Sequence, residues 1–371
     1  MTPILAASTP SGYWHLQTLW FGLIAVLWIG YFVLEGFDFG VGTLLPFLGR
    51  DDTDRRVIIN TIGPVWDGNE VWLLVAGGAT FAAFPGWYAT LFSGFYLALF
   101  VILVALIVRG VAFEYRGKND SPRWRAWWDR AIFIGSALPA LLWGVGFGNI
   151  VRGVPIDRSH EFTGNFLTLL NPYSLFAGLT SLALFTLHGA VFLTIRTKGD
   201  LVERARDAAR RLSIVAAVLV FGFLAWTYAN AVSAHDKGIV PGVIPLSAVG
   251  LAIAVPFIVR AGRDGLAFTA TTLTIGLITA TIFLNLYPRV MVSSTSSAFD
   301  LTVWNSSSSH YTLAVMTVVA LSLTPVVLVY QGWTYYVFRH RVGRDDLGPI
   351  KSPIEMLSGK PDASAGAPSG D

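Results

Sequence analysis

The chain contains no cysteine. Disulfides, thiolate nucleophiles and cysteine-ligated metals are therefore excluded. Charge is nearly as scarce: Asp, Glu, Lys and Arg make up 13% of the 371 residues, roughly half the ~25% of a soluble domain. So few charges cannot coat a water-soluble fold of this size. That rules out an ordinary soluble enzyme, a disordered chain and a nucleic-acid-binding domain. No G-x-G-x-x-G fingerprint, P-loop or H-E-x-x-H motif occurs, so the usual signals for dinucleotide, phosphate or zinc chemistry are missing. What the sequence does have is apolar length: 54% hydrophobic residues and a mean hydropathy of +0.59. Its 37 Gly and 13 Trp suit a polytopic helical bundle, where Gly admits close helix contact and Trp sits at the interfaces.

A spanning helix needs about 20 mostly apolar residues. Charge-poor runs predict nine, near 15–47, 54–83, 88–114, 125–150, 171–196, 202–233, 243–260, 266–287 and 311–339. The run Val71 to Val108 is too long for one helix and breaks at Phe84-Pro85-Gly86, a turn signal. Its first half then belongs to a helix that begins near Asp54 and includes Asp67 and Glu70. Alternating ten-residue strands are absent, so the expected fold is all-α rather than a barrel. Assigning alternate loops to opposite sides puts 22 of the 26 Lys and Arg on one side and four on the other. By the positive-inside rule the N-terminus is then outside and the C-terminus cytoplasmic. The net charge of +3 is a topology signal, not a nucleic-acid patch. No cleavable signal peptide is evident, because the first 14 residues lack Lys and Arg. Residues 1–342 form the expected transmembrane domain, and 343–371, rich in Pro, Gly, Ser and Ala, the expected disordered tail.

Ionisable residues inside a span are expensive and by default mark function. The first helix carries Glu35 and Asp38, whose i, i+3 spacing puts both on one face. Gly36, Gly40 and Gly42 around them admit a close neighbour. The second carries Asn60, Pro64, Trp66, Asp67, Asn69 and Glu70. Pro64 cannot donate to the Asn60 carbonyl, which frees that acceptor. At ~1.5 Å per residue, Asp38 lies about 12–14 Å and Asp67 about 20 Å from the cytoplasmic end. Antiparallel packing of these helices would make a ladder of Asp38, Asn60, Asp67, Glu70 and Glu35, as a proton or cation path requires. The bland alternative is a structural network in which the acids pair with Arg109 or Arg116. Arg109 and Glu114 lie near the cytoplasmic end of the third helix, where an arginine can also simply snorkel.

Haem in a bundle needs inward-facing His or Met. His15, His160, His235 and His310 fall at or outside the outer surface, and His340 at the inner end. Only His188 is deep within a span, and it reads as a hydrogen-bonded packing residue. Alone, the chain has no visible means of electron chemistry.

Gly36-Phe37-Asp38-Phe39-Gly40-Val41-Gly42, followed by Trp66-Asp67-Gly68-Asn69-Glu70-Val71-Trp72-Leu73, resembles subunit II of the cytochrome bd quinol oxidases. Phe84-Pro85-Gly86-Trp87-Tyr88, Arg109 to Arg116, Thr163-Gly164-Asn165-Phe166, Leu170-Asn171-Pro172 and Tyr287-Pro288 extend the resemblance over most of the chain in order. The resemblance implies a haem-free subunit in the bacterial cell membrane. Its partner, subunit I, holds two b haems and haem d, and a very small single-helix subunit often joins them. The complex oxidises quinol at the outer face and reduces oxygen to water with protons drawn from inside, so it generates proton-motive force without a pump. By the same resemblance Asp67 is a proton-pathway residue flanked by Trp66 and Asn69, Asp38 is the second candidate, and Glu70, Glu35 and Asn60 follow, with Arg109 and Glu114 in support. Family members can also hold a quinone or lipid structurally, at a site no residue here identifies. A proton-coupled secondary transporter is the competing reading, although no interrupted helices stand in matching halves.

Overall fold

A computed structural model describes residues 12–233 and 242–347. It is almost entirely helical: α1 (Trp14–Leu48), α2 (Asp52–Ile62), α3 (Trp66–Ala83), α4 (Pro85–Gly94), α5 (Tyr96–Tyr115), α6 (Pro122–Arg152), α7 (Pro172–Arg196), α8 (Asp200–Ser233), α9 (Val243–Arg260), α10 (Asp264–Leu286) and α11 (His310–Val337). A two-stranded antiparallel hairpin, β1 (Arg289–Met291) and β2 (Leu301–Thr302), lies between α10 and α11. Eight helices among the described residues are long and apolar enough to cross a membrane, and Trp66–Ala83 is not one of them. Its first turn carries Asp67, Asn69 and Glu70, which lowers its apolar content.

Two expected helices are divided. The single helix near 54–83 is α2 and α3, separated at Gly63, Pro64 and Val65. Pro64 has no N–H to continue the ladder, and Val65 N closes a tight turn on Ile62 O at 2.9 Å. The helix near 88–114 starts earlier, at Pro85, and bends at Phe95 into α4 and α5. Caps fix other starts, within a residue of the expected one at α7 and two residues before the expected Asp54 at α2. Asn171 accepts from Ser174 N at 3.0 Å ahead of Pro172, and Asp51 accepts from Asp54 N at 2.8 Å.

α1 is the centre of the bundle and packs on α3, α6, α7 and α10. Around its outer half sits an aromatic core in which Trp28, Tyr31 and Phe32 meet Trp143 and Phe147, with Trp143 Nε1 donating to Tyr31 Oη at 3.1 Å. Further along, Phe37 stacks on Phe192 at 4.2 Å between ring centres. There α1 and α7 cross at Gly40 and Gly189, so close that a Cβ on Gly40 would stand 2.0 Å from Phe185 O.

The loops gather at two ends. One end joins the α1–α2 turn, the segment after α5, and the starts of α8 and α10 through ion pairs: Arg116 with Asp52 (2.8 Å) and Asp129 (2.5 Å), Arg204 with Asp54 (2.8 Å), and Arg206 with Asp264 (2.7 Å). The other end joins the α3–α4 turn to 306–308 and the 153–165 segment to 292–294 by backbone bonds such as Val154 N to Val292 O at 3.0 Å. The chain after α11 returns to the basic end. Val342 pairs with Thr197, and Arg344–Asp346 forms a 3₁₀ turn. This part of the expected tail is therefore ordered. Residues 348–371, like 1–11 and 234–241 with His235, lie outside the described residues.

Candidate functional site

Three helices deliver the embedded charges to one buried centre. Glu35 and Asp38 on α1 and Arg109 on α5 are all fully buried. The Arg109 Nη2 donates to Glu35 Oε1, and Glu70 Oε2 on α3 stands 3.8 Å from the same nitrogen. The guanidinium carbon lies 4.8 Å from the centre of the Phe39 ring, a cation–π contact available because Phe39 follows Asp38 on α1. Arg109 is thus locked in a pair rather than snorkelling. Gly135 on α6 makes the burial sterically feasible: a Cβ there would sit 2.7 Å from Arg109 Cβ and from Ala105 O.

Asp38 Oδ2 accepts from Asn69 Nδ2 at 2.7 Å. Asn69 is itself buried, on the first turn of α3. That turn exists because the chain breaks at Pro64 and restarts with a new helical phase. Residues two apart on a helix point about 200° apart, so Asn69 faces α1 while Asp67 faces outward. Glu70, three residues after Asp67, is about one-quarter exposed and stands between the buried centre and the surface.

The expected ladder is therefore not one buried file within this chain. Glu35, Asp38, Asn69, Glu70 and Arg109 come together. Asn60, Asp67 and Glu114 are exposed. The Asp67 carboxylate accepts from its neighbour Gly68 N at 2.7 Å. Trp66 is half-buried and packs against Phe113 at 5.1 Å between ring centres. Arg116 is engaged with Asp52 and Asp129 at the basic end, away from the α1 acids.

Sequence reasoning missed two contributors from α11. Tyr335 Oη donates to Asn69 Oδ1 at 2.7 Å. Gln331 Nε2 reaches the same oxygen at 3.4 Å, and Trp72 Nε1 donates to Gln331 Oε1 at 2.9 Å. The available signal was two polar residues spaced i, i+4 on an otherwise apolar helix.

Four buried polar atoms at this centre have no protein partner: Glu35 Oε2, Asp38 Oδ1, and Arg109 Nε and Nη1. Such groups are what ordered internal water satisfies. His188 is the packing residue the sequence indicated: its ring stacks on Phe268 at 4.7 Å, and its nitrogens meet Thr271 Oγ1 at 2.7 Å and Val33 O at 3.2 Å. Among the described residues, no group of three or more His, Cys, Asp or Glu is arranged to hold a metal ion.

Comparison with known proteins agrees with this arrangement. The model of the family described as cytochrome bd terminal oxidase subunit II matches residues 16–338. The chain is similar to the cytochrome bd ubiquinol oxidase subunit 2 of Bacillus subtilis, 46% identical over 333 residues, covering 89% of this chain and 98% of that one. It is similar to the cytochrome bd-I ubiquinol oxidase subunit 2 of Escherichia coli, 39% identical over 368 residues, covering 90% of this chain and 97% of that one. Its fold matches a chain in the structure of the bd oxidase from Geobacillus thermodenitrificans at a TM-score of 0.70 and 15% identity, covering 87% of this chain and 98% of that one. The family match over residues 16–338 and the 46% identity over most of the chain agree: this chain belongs to the cytochrome bd terminal oxidase subunit II family.

Proposed function

We propose that this chain docks a haem-bearing subunit I in the bacterial cell membrane and carries protons from the cytoplasm toward the partner's oxygen-reducing haem. The complex is a quinol oxidase, an oxidoreductase. The b haems and haem d belong to the partner, and His188, the one deep histidine among the described residues, is committed to packing contacts. In this reading the bundle makes nine passes, α2 with α3 and α4 with α5 each counting as one, with the basic end in the cytoplasm.

One observation carries the proposal. A single buried guanidinium faces three carboxyl groups, Glu35, Asp38 and Glu70, and the last of these reaches the surface beside Asp67. A surplus of acid groups with unfilled hydrogen-bond capacity suits the uptake and release of protons. It is a poor design for packing alone, because unpaired buried charge costs several kcal/mol. The face around Asp67 supports a docking side. Leu74 and Phe81 on α3 and Val326, Tyr330 and Trp333 on α11 are more than half exposed. An acid on a lipid-facing surface is costly, so a protein partner covers this face and receives the proton there. A small single-helix subunit and a structural quinone or lipid are further components that the family resemblance implies.

The test is Asp67→Asn in the assembled oxidase. Oxygen consumption falls while the haem spectrum of the complex is unchanged. Normal turnover would return Asp67 to a structural role.

A further inference from the structure

The amide of Asn69 has two possible orientations, related by exchange of its oxygen and nitrogen. α11 decides between them. The Gln331 Nε2, a donor only, reaches Oδ1 at 3.4 Å, so the oxygen faces α11, and the Tyr335 hydroxyl adds its proton to the same oxygen at 2.7 Å. The nitrogen then faces α1, where it donates to Asp38 at 2.7 Å. The Gln331 amide is fixed in the same way, because Trp72 Nε1 donates to its oxygen at 2.9 Å. The chain of donors runs one way: Trp72 to Gln331, then Gln331 and Tyr335 to Asn69, then Asn69 to Asp38. Reversal of Asn69 would set its NH₂ against that of Gln331 and its oxygen against a carboxylate.

This places an unusual demand on α11. Along the bundle it buries only Leu313, so apolar packing does little to hold it. Its ends do the holding. At the outer end Ser308 N donates to Ala83 O at 2.8 Å, and Trp20 Nε1 donates to Thr317 Oγ1 at 3.0 Å. At the basic end the strap of residues 338–347 is latched to two turns. Val342 N donates to Arg196 O at 2.8 Å and Lys198 N to Val342 O at 3.1 Å. The Arg344 guanidinium bridges Asp54 and Asp51, each at 2.6 Å, and Lys198 pairs with Asp346 at 2.8 Å.

We propose that Tyr335 and Gln331 are positioning residues that orient Asn69 toward Asp38, and that the Arg344 strap is the latch that keeps α11 in place to do so. The functional consequence rests on the reading of Asp38 as a proton carrier. The orientation itself does not, which allows the two to be tested apart.

The experiment uses the assembled oxidase and reads quinol-driven oxygen consumption, haem content and the carboxyl infrared band assigned by its loss in Asp38→Asn. Tyr335→Phe moves that band and lowers turnover about fivefold, the worth of one hydrogen bond, with haem content unchanged. In an Asn69→Leu background Tyr335→Phe has no further effect on either readout, because Tyr335 acts through Asn69. Arg344→Ala, remote from the centre, moves the same band in the same direction by a smaller amount, and Arg344→Lys restores part of it. An unmoved band in both Tyr335→Phe and Arg344→Ala overturns the proposal, as does an additive effect in the Asn69→Leu background. If the band moves but Asp38→Asn turns over normally, the orientation stands and the proton-carrying role of Asp38 falls.

Discussion

The charges at the basic end and those buried between α1, α3 and α5 use the same residue types to opposite effect. At the basic end every carboxylate oxygen of Asp129 and Asp54 is engaged: Asp129 by Arg55 and Arg116, Asp54 by Arg204, Arg344 and the Arg50 N–H. In the buried centre Glu35 Oε2, Asp38 Oδ1 and two Arg109 nitrogens are left without protein partners. Among the described residues of this network only Arg204 Nε is left over; its carboxylates have no oxygen left to offer a proton or a water, and the network acts as a staple between turns. An unsaturated one keeps sites open at a cost in stability. On the proposed reading, fastening and conducting differ in how completely the carboxylates are filled, not in the number of ion pairs.

That contrast is sharpest at Arg109. Arg109→Leu leaves a buried carboxyl cluster without its cation, and breaking such a pair costs about 3–5 kcal/mol. The variant complex is recovered in low yield with a lowered thermal midpoint, read by haem absorbance during melting. Glu35→Leu combined with Arg109→Met regains much of the midpoint but not the turnover; recovery of both would place the cluster with the staples. Asp67→Asn comes next, with oxygen consumption down at least about tenfold, near 1.4 kcal/mol of barrier, at unchanged haem content. Asp129→Asn probes the saturated network. It weakens one charge-assisted cluster, by about 1–3 kcal/mol, so the thermal midpoint drops while turnover per assembled haem stays at the starting level. The smallest effect concerns pH at the strap. Hydrogen bonding from Lys198, and then from the Gly343 N–H, holds the Asp346 carboxyl below its ordinary value of 3.8. A depressed acid stabilises above its unfolded value and loses that contribution as pH falls through the folded one. The strap therefore loosens only below about pH 4, seen as faster proteolysis after residue 338, and Lys198→Ala weakens that pH dependence.

The all-α bundle was legible because lipid leaves so few options. Backbone groups in hydrocarbon must be satisfied within the segment, so long apolar runs fold as helices. Asn171-Pro172 marked a helix start by local chemistry alone. Glu35, Asp38 and Glu70 were found because charge in an apolar run is conspicuous. The sequence concealed phase: reading 54–83 as one helix put Asn60, Asp67 and Glu70 in one file, whereas the restart after Pro64 turns Asn69 inward and Asp67 outward. It also concealed neighbours. Gln331 and Tyr335 are unremarkable polar residues until α11 is seen lying beside Asn69, some 260 positions earlier in the chain.

The crossing of α1 and α7 at Gly40 and Gly189 has a mechanical consequence. Backbones in contact there set the wall that bears Glu35 and Asp38 directly against α7, and a side chain at either position would push the two apart. The opposite wall has no such crossing: α3 begins at a proline break and α11 buries only Leu313 along its length. The two walls of the site differ in how tightly they are seated.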